Sequence, residues 1–211
     1  MKKIKVFDSA EGYNLAAREY DKKKAYLDSF EKKQLLPLLG NLTGRKILDV
    51  GAGTGRLAIE LSKLGAEVTA LDVSEEMLKE LKRKNSARGG SALGGKNIVT
   101  IVGDAESLPF RAETFDIVVA AFLIVHLKDP RSFFDEAYRV LKSGGIFLVT
   151  NINQKDPPKI MTKEGEIVIE SFYHRPEKVR EILESLAFGI EKKVFVKEND
   201  VWVNQIILAR K

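Results

Sequence analysis

The sequence predicts an α/β fold: a doubly wound, mostly parallel sheet with helices on both faces and an antiparallel last strand. Three observations predict it. Short apolar, β-branched runs read as buried strands and alternate with helical periodicity through most of the chain. The first such run passes into a helix through a turn with glycine at every second position. The alternation then breaks at the end, where runs 189–196 and 201–209 meet at Glu198-Asn199-Asp200 with no room for a helix.

In chain order, residues 11–40 carry a helical pattern, with Leu15, Tyr20, Leu27, Phe30, Leu35 and Leu38 on recurring faces. Pro37 and Gly40 mark its end and Gly44 opens the core, which divides the chain into an N-terminal helical segment, 1–43, and a compact unit, 44–211. The lysines at 22–24 and 32–33 read as solvated helix faces. Ile47, Leu48 and Val50 form the first strand, and Leu57, Ala58, Ile59 and Leu61 begin the helix after the glycines. Residues 67–73 are the second strand, and Ser74 suits the N-cap of the helix that follows, with Glu75 and Glu76 favourable to its dipole. Glycines in 86–96 read as a loop before the third strand, 98–102, and 115–121 is the fourth. Residues 132–141 fit an amphipathic helix, which Gly144-Gly145 turn into the fifth strand. A last helix, 176–186, begins on Pro176, where a missing N–H costs nothing.

The glycine turn Gly51-Ala52-Gly53-Thr54-Gly55 has two readings. A tight strand-to-helix turn needs glycine for steric reasons, and the same turn lets a ligand approach the backbone at a helix N-terminus. Asp72 closes the second strand about 20 residues on, where a carboxylate can take both hydroxyls of a ribose. Gly103-Asp104-Ala105 with Leu108-Pro109-Phe110 follow the third strand, and Ala120-Ala121-Phe122 end the fourth. Taken in this order, the set resembles the class I S-adenosylmethionine-dependent methyltransferases, in particular the small-molecule group similar to the quinone-biosynthesis enzymes. The glycine spacing is G-x-G-x-G, whereas nicotinamide dehydrogenases use G-x-G-x-x-G.

The resemblance implies a seven-stranded Rossmann-like sheet, and the strand candidates number the same. It implies S-adenosyl-L-methionine as cofactor and S-adenosyl-L-homocysteine as product. Gly51, Ala52, Gly53 and Gly55 would face the methionine moiety, and Asp49 would hold its ammonium through water, or be a buried structural carboxylate. Asp72 would bind the ribose, or cap a helix. Asp104 would accept from the adenine amino group, or serve its own turn, with the Ala105 amide nearby and Val73 against the ring; Met77 would touch the adenine face, or be plain core. Ala120 and Phe122 would line the methyl-donor end. Tyr13-Asn14 and Tyr20-Asp21 resemble an aromatic lid over the cofactor, and packing onto the core explains the tyrosines equally well.

The expected chemistry is an in-line displacement at the sulfonium methyl, in which alignment and desolvation do most of the work and no metal is required. A base matters only for a weakly acidic acceptor. His126, after strand four, is one candidate, or a packing residue. His174, beside Phe172 and Tyr173 in a region that often forms the acceptor pocket of such enzymes, is the other, or all three belong to an ordinary loop. Asp156-Pro157-Pro158 looks like an amino-methylating motif but follows strand five and continues with Lys159. Leu186-Ala187-Phe188 stands where the group commonly has Gly-Phe.

Composition narrows the function. The 211 residues, 44% hydrophobic and 31% charged, are those of a globular protein, and the absence of cysteine excludes thiolate zinc sites and cysteine-dependent methyl transfer. Met1-Lys2-Lys3 precede too little apolar sequence for a secretory leader, so a cytoplasmic location without a membrane span is expected. A net charge of +5 permits an anionic partner, but lysines dispersed among acids read as a solvated surface. A small-molecule acceptor, which the resemblance implies, is the leading expectation. A tRNA or other RNA substrate docked on the basic N-terminal helix, and a non-catalytic S-adenosylmethionine-binding module, are the alternatives. Nothing in the residues sets the oligomeric state.

Overall fold

A computed structural model describes residues 5–23, 31, 34–87, 98–162 and 165–211. The elements are β1 (Val6–Phe7), α1 (Ser9–Tyr20), β2 (Lys46–Val50), α2 (Arg56–Lys63), β3 (Glu67–Asp72), α3 (Glu75–Ala87), β4 (Val99–Val102), β5 (Phe115–Ala120), α4 (Arg131–Val140), β6 (Leu141–Ile152), β7 (Lys159–Thr162), β8 (Gly165–Ile169), α5 (Pro176–Ser185), β9 (Gly189–Glu198) and β10 (Val201–Arg210). Seven of the strands form one sheet in the order β4-β3-β2-β5-β6-β10-β9. Strands β4 to β6 run parallel, and β10 is antiparallel to both its neighbours.

Alternation along each strand explains why the apolar runs are unbroken. In β5, Val118 and Ala120 feed the core under α4 and α5, with Phe133, Phe134, Val179 and Leu183. Their neighbours Ile117 and Val119 feed the opposite core under α2 and α3, with Leu57, Leu61, Leu78 and Leu81. Leu48 and Ile47 of β2 divide the same way. Successive side chains point to opposite faces, so a strand covered on both sides must be apolar at nearly every position. Chain order reverses between β2 and β5, and their carboxyl ends open a crevice at that switch point.

The sequence reading and the structure differ in two places. Gly144 and Gly145 lie inside β6 rather than ahead of it. Phe115 pairs with Leu141 but Ile117 with Ile146, so the intervening residues bulge out of register, and Gly144 takes φ 71° to allow it. Second, a small sheet, β1-β8-β7, covers one end of the molecule. Its Ile160, Ile167 and Ile169 pack with Ala16 of α1. Gly12 sits at that contact, where a Cβ would come within 2.7 Å of Ile169. Ala187, where the resemblance would have glycine, stands at the end of α5 with φ 65°, a left-handed position that glycine would occupy without strain.

The terminal hairpin is as expected, with Asn199 and Asp200 at φ 47° and 64°. Of the long N-terminal helical pattern, α1 and a 3-10 turn at Leu36–Leu39 are described. Leu27, Phe30 and the lysines at 24, 32 and 33 lie outside the described residues, as does most of the glycine loop at 86–96. Among the described residues no helix is long and apolar enough to cross a membrane.

Candidate functional site

The carboxyl ends of β2, β3, β4 and β5 and residues from both ends of α1 line a cavity of about 360 Å³. Its floor is the glycine turn. The Gly51 and Ala52 amides donate to Leu71 O at 2.8 and 3.0 Å, which ties the turn to the end of β3. Gly53 (φ 54°) has nothing within 4 Å of where a Cβ would stand, and it faces the cavity. Gly55 (φ 83°) is on the other side of the turn, where a Cβ would meet Leu81 of α3 at 2.1 Å. The two readings of the turn thus belong to different glycines: Gly53 leaves room for a ligand and Gly55 for a helix.

Three acids stand around this floor. Asp72 is buried, with Oδ2 accepting from the Gly53 amide at 2.7 Å and Oδ1 from the Ser74 amide at 2.8 Å. Burial raises its pKa, and the amides of Ser74, Gly53 and Val73 oppose the rise. Asp72 therefore does not cap α3. Ser74 does, accepting from the Met77 amide at 3.2 Å, while Asp72 braces the loop between strand and helix. Asp104 accepts from the Glu106 amide at 2.9 Å, so it does serve its own turn, and it also lines the cavity. Asp49 differs from both. It is 2% exposed, and its Oδ2 has no hydrogen-bond partner among the described residues. Burial pushes it up to about 7; Arg56 and the Ala58 amide pull down, and the charges of Asp72 and Glu31 push up.

The roof comes from the N-terminal segment. Tyr13 and Tyr20 meet edge to face at 5.7 Å between ring centres, and both line the cavity. Burial raises both phenols, Tyr20 to about 12 and Tyr13 well above its ordinary value. The Tyr13 hydroxyl lies 2.7 Å from His126 Nε2, and His126 Nδ1 lies 3.0 Å from Glu170 O. A carbonyl can only accept, so Nδ1 carries the proton and Nε2 accepts from Tyr13. Burial lowers the His126 pKa, which keeps the ring neutral at neutral pH. Below Tyr20, the fully buried Glu31 pairs with Arg56 and accepts from Thr150 Oγ1 at 2.9 Å.

Residues 48–149 match the family model described as a methyltransferase domain. The ubiquinone/menaquinone biosynthesis C-methyltransferase of Cereibacter sphaeroides is 36% identical over 129 residues, 60% of this chain and 50% of that protein. Over residues 48–149 the chain is therefore similar to methyltransferase domains. The malonyl-[acyl-carrier protein] O-methyltransferase of Salmonella typhimurium is 30% identical over 151 residues, 72% of this chain and 56% of that protein. The chain thus spans about half the length of the curated relatives it matches. Among solved structures, magnesium protoporphyrin IX methyltransferase from Synechocystis PCC 6803 with bound SAH superposes with a TM-score of 0.68 at 19% identity, covering 89% of this chain and 82% of that one. A SAM-dependent methyltransferase from Aquifex aeolicus gives 0.70 at 23% identity, covering 92% and 97%. At these identities the superpositions carry the fold.

Of the residues singled out for a methyltransferase, Tyr20, Asp49, Gly51, Ala52, Gly53, Asp72, Val73, Met77, Asp104, Ala105, Phe122 and His126 all lie on the cavity wall. Three do not. Gly55 supports the turn from behind. Ala120 is fully buried in the core, and the chain first reaches the cavity at Ala121 and Phe122. His174 is buried away from the cavity, its Nε2–H shared between Ile124 O and Leu127 O, both at 2.9 Å. That imidazole pins the loop after β5, leaving it no geometry for acid–base work on a ligand in the cavity. The sequence reading passed over Arg56 and Glu31. Arg56 follows the last glycine directly and could have been noticed for that reason, whereas Glu31 sits among lysines with nothing local to mark it.

Proposed function

We propose that the protein transfers a methyl group from S-adenosylmethionine to a small-molecule acceptor bound in this cavity. One observation carries the reading: Asp49, with a buried carboxylate oxygen that has no hydrogen-bond partner among the described residues, lines the same cavity as Asp72 and Asp104. A cofactor with an ammonium at one end and a ribose and adenine at the other supplies what these three lack. The residues present fit such a group, since Gly53 leaves open cavity where a side chain would intrude.

Bound there, S-adenosylmethionine supplies a methyl on a sulfonium whose departure leaves a neutral thioether. Asp49 would hold the ammonium. Asp72 would receive the ribose hydroxyls on lone pairs that the Gly53 and Ser74 amides leave over. Asp104 would receive the adenine amino group, with Val73 and Met77 against the ring. Residues 1–43 would act as a lid, with Tyr13 and Tyr20 excluding water from the reacting groups. His126 would take the acceptor's proton. It is neutral, its tautomer is fixed by Glu170 O, and its basic Nε2 faces Tyr13 at the cavity wall. The Tyr13 hydroxyl would pass its own proton to that nitrogen as it takes the acceptor's, and so stay neutral, or step aside and let the acceptor reach the nitrogen directly.

Calorimetric titration with S-adenosylmethionine and S-adenosylhomocysteine tests the cofactor assignment. Both are expected to bind, and Asp72→Ala to weaken them by about 1–3 kcal/mol through lost charge-assisted hydrogen bonds. Affinity unchanged by that substitution would remove the ribose assignment. Once an acceptor is found, His126→Gln is expected to lower kcat by about 10²–10⁴-fold without moving S-adenosylhomocysteine affinity. An unchanged kcat would reduce His126 to packing.

A further inference from the structure

Resting on the role proposed above for His126, we infer that His174 is its positioning residue: through the segment 170–174 it holds the His126 ring in the tautomer whose Nε2 can take a proton. Four hydrogen bonds lay that segment along the loop after β5. His126 Nδ1 donates to Glu170 O at 3.0 Å, the Phe172 amide to Val125 O at 2.7 Å, and His174 Nε2 to Ile124 O and Leu127 O, both at 2.9 Å. Ile124 and Leu127 flank His126, so the His174 ring grips the loop on both sides of the base. The segment is itself anchored at both ends. The Glu170 amide donates to Phe7 O of β1 at 2.9 Å, and the His174 carbonyl accepts from Nδ2 of Asn151, buried in β6, at 3.0 Å.

The tautomer is what needs holding. A neutral imidazole free in water favours its proton on Nε2, whereas the His126 ring carries it on Nδ1, and the hydrogen bond at one nitrogen decides the state of the other. The form observed is imposed by one carbonyl, and that bond weakens steeply once its distance or angle slips. Glu170, the residue after β8, supplies only its backbone oxygen, so the register between segment and loop sets the distance. His174 sets that register. It is buried and off the cavity wall, yet it ends the same short segment whose other end selects the tautomer. Without its grip, the Phe172–Val125 bond is left as the backbone tie beside the ring, and His126 Nδ1 is free to draw away from Glu170 O. With the proton returned to Nε2, the Tyr13 hydroxyl would face a donor, and the cavity would lose its base.

Nitrogen NMR of labelled imidazoles tests this, because the chain has two histidines and a variant of His174 leaves His126 alone in the spectrum. His174→Gln and His174→Asn are compared. The glutamine amide brings two N–H groups, one for each carbonyl, to about the reach of Nε2, and the asparagine amide stops one carbon short. Wild type and His174→Gln are expected to show His126 with a pyrrole-like Nδ1 and a pyridine-like Nε2. His174→Asn is expected to show mixed or reversed tautomers, with S-adenosylhomocysteine affinity held at the wild-type value. With an acceptor in hand, kcat is expected to follow the tautomer, falling about tenfold or more in His174→Asn and recovering in His174→Gln. A pure Nδ1–H form in folded His174→Asn, tautomer and affinity lost together, or a kcat indifferent to the tautomer would each reduce His174 to a support and overturn the inference. If His174→Asn does not fold, proton exchange in the wild type decides. His126 Nδ1–H and His174 Nε2–H are expected to exchange with solvent at one rate, since the segment lifts as a unit. His126 exchanging while His174 stays protected overturns the inference too. The tautomer is read without cofactor or acceptor, so it stands or falls apart from the methyl-transfer reading, which S-adenosylhomocysteine titration and His126→Gln test.

Discussion

Asp49 gives the cavity a pH response whose sign follows from its environment. Its carboxyl is pushed up to about 7 in the folded protein from an ordinary value near 3.8. Between those values the unfolded chain has lost a proton that the folded one keeps, so stability falls as pH rises through that window. Above about pH 7 the loss is complete, on the order of 4 kcal/mol for three pKa units in a fully buried group. Glu31 and Asp72, which are also raised by burial, act in the same direction. An ammonium needs the ionised form. S-adenosylhomocysteine affinity is therefore expected to climb between about pH 5 and 7, at most tenfold per unit, and to fall once the ligand's own amino group deprotonates. Asp49→Asn should flatten the climb, weaken binding, and raise thermal stability above pH 7. Calorimetry across pH in two buffers of different ionisation enthalpy reads both the affinity and the proton released. A wild-type affinity that is level from pH 5 to 7 would show that Asp49 does not face the ligand's charge.

At the scale of elements, the glycine turn separates folding from binding. Gly53 and Gly55 both hold left-handed backbone, so alanine at either position costs about 1–2 kcal/mol in conformation. Beyond that cost they part. A methyl at Gly55 would press on Leu81, which is fully buried in the core between α2 and α3, whereas a methyl at Gly53 meets only open cavity. Gly55→Ala is expected to lower Tm well beyond the conformational cost, and Gly53→Ala to lower it modestly while abolishing S-adenosylhomocysteine binding. Equal Tm losses with intact binding in Gly53→Ala would refute the division. The same contrast shows what could be read beforehand. The turn, the sheet and the acids at strand ends were legible because each is written in adjacent residues: an apolar run, then a glycine or an acid. The small sheet was not, because β1 has two residues and pairs with Val168 and Ile169 far along the chain. His174, beside two aromatic residues, resembled a pocket residue, yet the backbone carries its ring into two carbonyls of another loop.

For the whole molecule, the N-terminal segment is fastened to the cavity by contacts that no local pattern reveals. Tyr13 reaches His126 after β5, Asn14 reaches Ser74 Oγ after β3 at 2.7 Å, and Asp21 accepts from Thr54 Oγ1 in the glycine turn at 2.6 Å. Asp21 also pairs with Lys84 of α3 at 2.8 Å, and Glu31 joins Arg56 to Thr150. Each such bond contributes only about 1 kcal/mol net, but the segment cannot swing away without breaking several together. If it is the lid, ligand exchange requires that joint opening, and a ligand that binds only the closed form must suppress it. With S-adenosylhomocysteine at about a hundred times its Kd, amide hydrogen exchange in α1 and in the glycine turn is expected to slow together, by up to about a hundredfold. The β9–β10 turn at Asn199-Asp200, whose backbone is remote in the sheet order from β2 and β3, should exchange at its former rate. Slowing confined to the glycine turn, with α1 unchanged, would mean that the ligand enters without moving the segment. The tyrosines would then be a fixed wall, and residues 1–43 part of the core they cover.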